Sequence, residues 1–333
     1  MKLILLGDTH FTTRQPKYRN DDYFAASINK FCQVLELAKF NEAIVLQAGD
    51  FFDNHAAPEK LKVVLLRLLF DIKAEVVAVH GQHDLEYHSQ NLSNTSLGVM
   101  AAAGAVTVPG FSTPDPYYQL PGFNENVRVY NGGWGSTIPA VPPIHQDGIY
   151  KILILHRLIV PERHTNKFGG ECYFFEDEVE SVNVFRTSSG NLVDLSNYNL
   201  LLTGDNHTHF IRSDEIGNHL INPGPLLRSS IDKVDYEPCV VIFDTFKLNY
   251  EIVKLEVQPA EQVFDFAKLE FDKKIKEVVG TAAAGFVDDL KSGEFTGINF
   301  QNYLLGKLKT TNFSERTKEF VLKIIREAVS GDN

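Results

Sequence analysis

The chain of 333 residues has few cysteines, little positive charge and no long hydrophobic run. Its three cysteines, Cys32, Cys172 and Cys239, lie far apart, without the spacing of a metal or redox motif. We therefore expect buried free thiols in a reducing cytoplasm. No apolar run approaches the roughly 20 residues that span a bilayer, and the start of the chain has no basic leader with a cleavage site. A membrane protein and a secreted, disulfide-stabilised protein are not expected.

Positive charge is scarce, with 32 lysines and arginines against 43 aspartates and glutamates and a formal net charge of −11. A free-standing surface that binds DNA without specificity needs a basic face. This balance argues against such a surface. It leaves nucleic acid open as a substrate, because carboxylates clustered in a metal site add to the negative count and a partner could supply basic charge.

A short pattern recurs instead: an apolar run ends in a polar turn that carries Asp or His, in most cases just after a Gly. The first example is the run at residues 2–6, which leads into Gly7, Asp8 and His10. Open α/β sheets keep their sites at the carboxyl ends of their strands. The strand-end candidates, in chain order, are Asp8, His10, Asp50, Asp53, Gln82, His83, His156, Asp205, His207 and His209. Chance is a poor explanation, because clustered charges without partners are costly to bury.

The spacing of apolar residues predicts alternating strands and helices near the start, with helices over 23–40 and 61–70 and strands over 43–48 and 75–80. This order implies parallel strands joined by right-handed crossovers. Further strands are predicted at 106–108, 127–130, 150–155, 199–203, 219–222, 240–243 and 250–257. The last two are expected to be antiparallel strands that complete a second sheet.

The pattern becomes helical after about residue 258. One apolar stripe consists of Phe264, Ala267, Phe271, Ile275 and Val278. A second consists of Phe320, Ile324, Ile325 and Ala328, with a helix cap at Asn312. We therefore divide the chain into a domain at 1–257 and a helical region at 258–333.

Carboxylate and imidazole side chains without thiolates favour hard or borderline divalent ions such as Mn²⁺, Fe²⁺, Mg²⁺ or Zn²⁺. Two ions about 3.5–4 Å apart can clamp a phosphoryl group for in-line displacement. The candidate ligands are numerous enough for two such ions that share one carboxylate. The sequence therefore predicts a two-metal centre for phosphoester hydrolysis.

The motifs Gly7-Asp8-x-His10, Gly49-Asp50-x-x-Asp53, Gly81-x-His83-Asp84, His156 and Gly204-x-x-His207 together resemble the calcineurin-type metallophosphoesterase superfamily. The resemblance keeps the order of the motifs over residues 3 to about 210. Within the superfamily the chain resembles the nuclease subunit of SbcC–SbcD type DNA double-strand-break repair complexes, in particular the phage-borne exonuclease-subunit branch. The narrower resemblance rests on the stretches GDTHF at 7–11, GDFFD at 49–53, LTGDNH at 202–207 and NPGPLLR at 222–228.

The resemblance implies an α/β fold, a four-layer α/β/β/α sandwich with a C-terminal helical region that docks on a coiled-coil ATPase. It implies that Asp8, His10 and His207 hold one metal ion and that Asp50 bridges both ions. Gln82, His156 and Asp205 would hold the second ion. His83 would contact the scissile phosphate and assist the leaving oxygen, and Asp53 would orient His83 by a hydrogen bond.

Two positions depart from the usual family pattern. Gln82 stands where Asn is usual, and its amide oxygen lies one methylene further out. Asp205 stands at the first position of a motif that more often reads Gly-His-x-His, and an alternative frame makes His207 and His209 the pair. An additional carboxylate ligand favours Mn²⁺ or Mg²⁺ over Zn²⁺.

These observations predict a metal-dependent DNA exonuclease or endonuclease for DNA repair or recombination. Two divalent ions, Mn²⁺ in the first place and Mg²⁺ as the alternative, would serve it. Its partners would be DNA and a coiled-coil SbcC-like ATPase subunit in the cytoplasm of a bacterial or phage-infected cell, and a homodimer is left open. The alternatives are a phosphodiesterase acting on small nucleotides and a non-catalytic scaffold on the same fold, which Gln82 keeps open.

Overall fold

The structure is a computed structural model that describes residues 1–121, 126–160, 172–175 and 181–292, and beyond them 302–303, 305–306, 315, 318–319 and 322–323. The strands in this part of the chain are β1 (Lys2–Leu6), β2 (Ile44–Gln47), β3 (Val76–Ala78), β4 (Tyr117–Gln119), β5 (Val127–Gly132), β6 (Tyr150–Leu155), β7 (Ile159–Val160), β8 (Tyr173–Phe175), β9 (Val184–Thr187), β10 (Leu192–Asp194), β11 (Leu200–Thr203), β12 (Phe210–Ser213), β13 (His219–Asn222), β14 (Cys239–Asp244) and β15 (Asn249–Lys254). The helices are α1 (Tyr23–Phe40), α2 (Glu59–Ile72), α3 (Ser96–Ala102), α4 (Ile144–Asp147), α5 (Ala260–Val263) and α6 (Phe266–Ser292).

Two mixed sheets face each other and form the centre of the fold. The first has the strand order β15-β14-β1-β2-β3, and the second has the order β12-β13-β11-β6-β5-β4. Strands β1, β2 and β3 are parallel, as are β5, β6, β11 and β13. Leu3 and Leu5 of β1 pack in the core between the sheets with Ile154 of β6 and Leu202 of β11. Both faces of these strands are buried, which explains their continuous apolar runs.

The outer face of the first sheet is covered by helices α1, α2 and α3. Because side chains alternate along a strand, Ile4 and Leu6 point away from the sheet interface and contact this helical layer. Helix α1 begins at the N-cap Asp22, whose side chain accepts a hydrogen bond from the amide of Ala25. Phe31 on α1 and Leu65 on α2 are fully buried in this layer. The predicted βαβαβ start is confirmed, and α1 has the predicted bounds.

The outer face of the second sheet is covered in part by a third sheet, with the strand order β10-β9-β8-β7. Leu153 and Leu201 pack against Tyr173 and Phe185 of that sheet. The α/β class and the sandwich of two facing mixed sheets are confirmed. The short helix α4 also contacts the second sheet, because Asp147 pairs with Lys151 of β6 over 2.8 Å.

Two strand predictions need correction. Strands β14 and β15 extend the first sheet instead of completing the second, because β14 pairs antiparallel with β1 and places Val241 and Phe243 in the core between the sheets. Residues 106–108 form no strand and contribute one isolated bridge, between Val77 and Thr107.

The chain divides into two compact units, Met1–Val263 and Phe264–Asn333. In the second unit, α6 is a helix of 27 residues that contains Ala267, Phe271, Ile275 and Val278 of the first predicted stripe, whereas Phe264 precedes the helix. The second predicted stripe, with Phe320, Ile324, Ile325 and Ala328, and the cap at Asn312 lie outside the described residues. The domain boundary at 257/258 stays a prediction.

The three cysteines are free thiols, of which Cys172 and Cys239 are buried and Cys32 is half-buried. Within the residues described, none of the helices has the length and apolar character that a bilayer crossing requires.

Candidate metal centre

The carboxyl ends of the central strands of both sheets meet at one edge of the sandwich. There the loops after β1 and β2 stay paired, since the amide of His10 donates to the carbonyl of Asp50 over 2.9 Å and that of Phe11 donates to Phe51 over 3.0 Å. The loop after β13 joins them through the amide of Leu226, which donates to the carbonyl of Asp8 over 2.8 Å. The backbone therefore fixes the relative positions of the candidate ligands.

Three candidate ligands have a left-handed backbone, with φ of 43° at His10, 48° at Asp50 and 70° at Asp205. Such a conformation costs about 1–3 kcal/mol per residue and persists where the surroundings hold it. Asp84 provides part of that support. Its fully buried carboxylate accepts hydrogen bonds from the amides of Phe51, Phe52 and Gly81 over 2.9–3.0 Å. Asp84 thus braces the turn and takes no direct place in the cluster.

Glycines in the motifs make room for the carboxylates. A side chain at Gly81 would place its Cβ 2.0 Å from Oδ1 of Asp50, and one at Gly204 would place it 2.4 Å from Oδ1 of Asp8. Non-bonded heavy atoms do not approach each other so closely, and a larger residue at either position would clash. The glycines therefore permit the close approach of the loops.

Asp8, His10 and His207 form the first group of ligand atoms, all within 4.8 Å of one another. Nε2 of His207 lies 3.2 Å from Oδ2 of Asp8 and 3.2 Å from Nε2 of His10. Asp8 is buried, and the two histidines are partly exposed. The structure thus brings together the three residues that were predicted to hold one ion.

Asp50, Gln82, His156 and Asp205 form a second group beside the first. Oδ2 of Asp50 lies 3.4 Å from Nε2 of His156 and 3.8 Å from Nε2 of His10, so it lies between the two groups. Oε1 of Gln82 lies 2.9 Å from Nε2 of His156, and its amide nitrogen donates to Asp205 over 3.0 Å. The extra methylene of Gln82 therefore lets one side chain reach both neighbours.

His83 faces solvent at the edge of the cluster, with 44% of its side chain exposed and Nε2 3.9 Å from Oδ2 of Asp50. Its Nδ1 forms a 3.0 Å hydrogen bond with the main-chain carbonyl of Asp53. The bond to position 53 was predicted, but it involves the backbone and not the carboxylate. The role of the Asp53 carboxylate stays a prediction.

His209 lies apart from both groups. Its Nδ1 is 3.6 Å from Sγ of the buried Cys239, and among the described residues it joins none of the clusters of ligand atoms. Asp205 contacts Gln82, and its amide donates to Asp8 over 3.0 Å. This geometry favours the frame in which Asp205 and His207 are the pair.

Comparison with known proteins identifies the family of this chain. The family model for calcineurin-like phosphoesterases matches residues 1–209, well over half of the chain. The chain belongs to the calcineurin-like phosphoesterase family. This membership assigns it to the divalent-metal-using phosphoesterases.

Two solved structures are similar to this calcineurin-like phosphoesterase at low identity. The 5′-nucleotidase precursor from Thermus thermophilus is 11% identical, with a TM-score of 0.40, and the match covers 81% of this chain and 57% of that one. The Haemophilus influenzae NAD nucleotidase (NadN) is 12% identical, with a TM-score of 0.38 and coverage of 98% and 60%. The phosphoesterase therefore spans about three fifths of each. A search of curated protein sequences finds no match.

The phosphoesterase site contains several carboxylates, and their negative charges affect the pKa values of the neighbouring histidines. Burial alone would lower the pKa of His156, but the charges of Asp50, Asp8 and Asp205 outweigh it and raise the pKa to about 10. The hydrogen bond to Asp8 raises the pKa of His207. Burial lowers the pKa of His10 despite the nearby carboxylates. Burial would raise the pKa of Asp50, but the histidines hold it below its usual value.

The residues present fit a divalent-metal centre. Ligand atoms about 2.0–2.1 Å from one small divalent ion lie roughly 3 Å apart in near-octahedral geometry, and the separations of 2.9 to 3.4 Å in the two groups are of this size. In the described chain, none of the carboxylates of Asp8, Asp50 and Asp205 is ion-paired with a lysine or arginine. Buried carboxylates without such partners are what a bound cation would stabilise.

A cleft of about 300 Å³ opens beside the cluster. Its lining includes His10, His83 and His207, together with Thr12 and Arg14 of the β1–α1 loop and Tyr23, the first residue of α1. The sequence analysis missed Arg14 and Tyr23. Their nearness to Asp8 and His10 along the chain was the available signal, although polar residues commonly follow a strand without any functional role.

Proposed function

We propose that this phosphoesterase is a DNA nuclease that uses two divalent metal ions, Mn²⁺ or Mg²⁺, and works with a coiled-coil ATPase of the SbcC type. The observation that carries the proposal is the assembly of Asp8, Asp50, His156 and His207 from both sheets, with His83 exposed beside Asp50. That arrangement suits an anionic phosphoester that approaches from solvent.

Asp8, His10 and His207 would hold one ion, and Gln82, His156 and Asp205 would hold the other. Asp50, which lies between the groups, would contact both. When bound, two such ions supply a clamp on the phosphoryl oxygens and an activated water for in-line displacement. His83 is exposed and held by the Asp53 carbonyl at Nδ1. With Nδ1–H bonded to this carbonyl, the imidazolium form of His83 would carry a second proton on Nε2, which could hydrogen-bond the phosphate and pass to the leaving oxygen.

DNA is favoured as the substrate by the NPGPLLR stretch at 222–228, which belongs to the narrower resemblance. This stretch packs at the site: Leu226 donates to the carbonyl of Asp8, and Gly224 approaches Gly7 so closely that a Cβ on Gly7 would lie 2.0 Å from its carbonyl. This stretch thus contacts the loop after β1, which contains the candidate ligand Asp8.

The ATPase partner is favoured by the separate C-terminal unit with its helix of 27 residues. A chain with a net charge of −11 also needs basic surface from elsewhere to hold DNA firmly. The cytoplasmic location and a homodimer stay predictions.

A phosphodiesterase acting on small nucleotides is the second candidate. The cleft of about 300 Å³ favours it, because that volume is at the lower end of sites for small molecules. A non-catalytic scaffold is less well supported, because Gln82 contacts His156 and Asp205 and leaves the donor set intact.

The test compares two substrates under the same conditions. The protein with Mn²⁺, alone and with an ATPase encoded beside its gene, is assayed on linear DNA and on a cyclic dinucleotide. We expect Mn²⁺-dependent DNA cleavage that the ATPase stimulates. Preferred hydrolysis of the dinucleotide would favour the second candidate, and an absence of metal would favour the scaffold.

His83→Ala provides the matched catalytic control. It should reduce cleavage by about 10²–10⁴-fold, because the leaving oxygen loses its proton donor, while elemental analysis finds the metal content unchanged. Loss of metal in this variant would instead make His83 a ligand.

A further inference from the structure

One positively charged side chain, that of Arg14, lines the active-site cleft. Of the described residues that line it, Arg14 is the single lysine or arginine, and the cleft also contains Asp53 and the candidate ligands His10 and His207. Arg14 is exposed. Its amide donates to Oγ1 of Thr12 over 3.1 Å, which holds the backbone of the loop in a turn.

The guanidinium of Arg14 has a different environment from that of Arg19, five residues later. Arg19 is buried and forms two hydrogen bonds with Asp21, over 2.8 and 2.6 Å, and another with the carbonyl of Arg228. In the described chain, the guanidinium of Arg14 has neither an ion pair nor a hydrogen bond with protein. Its five donors are thus available to a ligand in the cleft.

The charge of the site explains why such a group is useful. Asp8, Asp50 and Asp205 surround the reaction centre, and bound metal ions would offset them at the scissile phosphate. A second phosphate of the same strand would lie further from the bound metal ions. The protein, with a net charge of −11, would therefore repel it. A guanidinium in the cleft wall would offset this repulsion, and its planar fork matches two phosphate oxygens.

We propose that Arg14 binds a phosphate of the DNA strand next to the scissile one, an inference that rests on the proposed nuclease function. Arg14 is then a specificity-determining residue. It would favour substrates with two or more phosphodiesters over those with one, because only the former place a second anion within its reach.

The test uses single-stranded oligonucleotides and bis(p-nitrophenyl) phosphate, a diester with a single phosphate. Wild type, Arg14→Ala and Arg14→Lys are assayed with Mn²⁺ between 50 and 200 mM KCl. Arg67→Ala is the matched control, because Arg67 is an exposed arginine on α2 that does not line the cleft.

For Arg14→Ala we expect KM for the oligonucleotide to rise about tenfold, the size of one charged hydrogen-bonded contact. The KM for bis(p-nitrophenyl) phosphate should stay close to that of wild type, because this substrate has no second phosphate. The slope of log KM against log salt should decrease by about 0.7, the value for one phosphate contact on a single strand. Arg14→Lys should keep the slope, and Arg67→Ala should match wild type.

Two outcomes would overturn the inference: an Arg14→Ala variant with the wild-type slope and KM, or equal losses on both substrates. Equal losses would place Arg14 at the scissile phosphate or in folding, and the thermal midpoint and metal content separate these two. If the wild type cleaves no oligonucleotide, the proposed function fails and the inference fails with it. If the wild type cleaves and Arg14→Ala is unaffected, the inference alone fails.

Discussion

Two clusters of buried charged side chains among the described residues differ in the partners that surround them. The metal cluster consists of Asp8, His10, Asp50, Gln82, His156, Asp205 and His207. The basic cleft, as we name it, consists of Arg19, Lys30 and Arg228, each about 8% exposed. The two lie near each other, since the Arg19 guanidinium is 5.0 Å from the centre of the Tyr23 ring, which lines the active-site cleft.

The charged groups of the basic cleft form hydrogen bonds within the protein, and Arg19 is also ion-paired. Arg19 pairs with Asp21. Arg228 donates to the carbonyls of Val234 and Gln258, and Lys30 donates to the carbonyl of Glu256. These bonds fix the segment that leads out of β15. Burial and the two arginines lower the pKa of Lys30 to about 8.

The metal cluster has no such internal neutralisation among the described residues. Its carboxylates face imidazoles and backbone amides, and only protonated imidazoles offset their charge. The difference teaches that burial of charge is by itself a poor sign of function. A cluster whose charged groups are hydrogen-bonded within the protein stabilises the fold, and buried carboxylates without a lysine or arginine partner suit a bound cation.

Removal of the central carboxylate of the metal cluster should have the largest effect. Asp50→Ala should remove both metal ions and lower the cleavage rate by more than about 10³-fold, because both groups of ligands lose Oδ2. Metal content by elemental analysis and the cleavage rate are the measurements. Asp71→Ala, an exposed position on α2, is the control. An unchanged metal content would refute a bridging role.

Arg19→Met should affect stability and leave the metal cluster intact. The variant loses both hydrogen bonds to Asp21 and the bond to the Arg228 carbonyl, so the free energy of unfolding should fall by about 3 kcal/mol. Urea unfolding measures this change, with Arg67→Met expected within about 0.5 kcal/mol of wild type. Loss of metal, or a change below about 1 kcal/mol, would contradict the assignment of the basic cleft to structure.

Metal affinity should rise with pH. A metal ion binds neutral imidazole, whereas the carboxylates raise the pKa of metal-free His156 to about 10 and also raise that of His207. Each proton released gives about a tenfold gain in affinity per pH unit until the pH passes that pKa. The protonated His156 also stabilises the metal-free fold, fully below pH 6.5 and progressively less up to about pH 10.

Calorimetry of Mn²⁺ binding at several pH values, in two buffers of different ionisation enthalpy, counts the released protons. The metal-free thermal midpoint should fall over the window in which the affinity rises. Affinity that does not change with pH would contradict this account of the cluster.

Gln82→Asn should have the smallest effect. The shorter side chain cannot contact both His156 and Asp205, so the second ion should bind about tenfold more weakly while the first is unchanged. Gln82→Glu keeps the length, adds a negative charge and should bind at least as tightly as wild type. Metal titration measures both variants. Tighter binding in Gln82→Asn would contradict the inference that the longer side chain is needed to contact both neighbours.

Much of the candidate site could be predicted from the sequence because it depends on strand ends. A buried parallel strand has a recognisable apolar run, and the next few residues must leave the sheet at its carboxyl edge. Asp8, Asp50 and His156 could therefore be placed together before any coordinates. Helix α1 was predictable for a similar reason, because its apolar spacing is a local feature.

Features that depend on partners distant in sequence could not be predicted. The apolar run of β14 indicates a strand but does not show which sheet it joins, and that choice depends on the pairing of Phe243 with Leu3. The hydrogen bond from His83 goes to a backbone carbonyl, which every residue has. The identity of Asp53 therefore could not reveal it.

The sequence alone determined the α/β class, the family and the set of side chains at the strand ends, because these follow from local patterns of residues. Only the tertiary structure decided that His209 lies against Cys239, that Gln82 contacts both His156 and Asp205, and that Arg14 lines the active-site cleft while Arg19 is used in folding. Two residues of one loop can differ in burial and in hydrogen-bond partners, because both depend on contacts with distant parts of the chain.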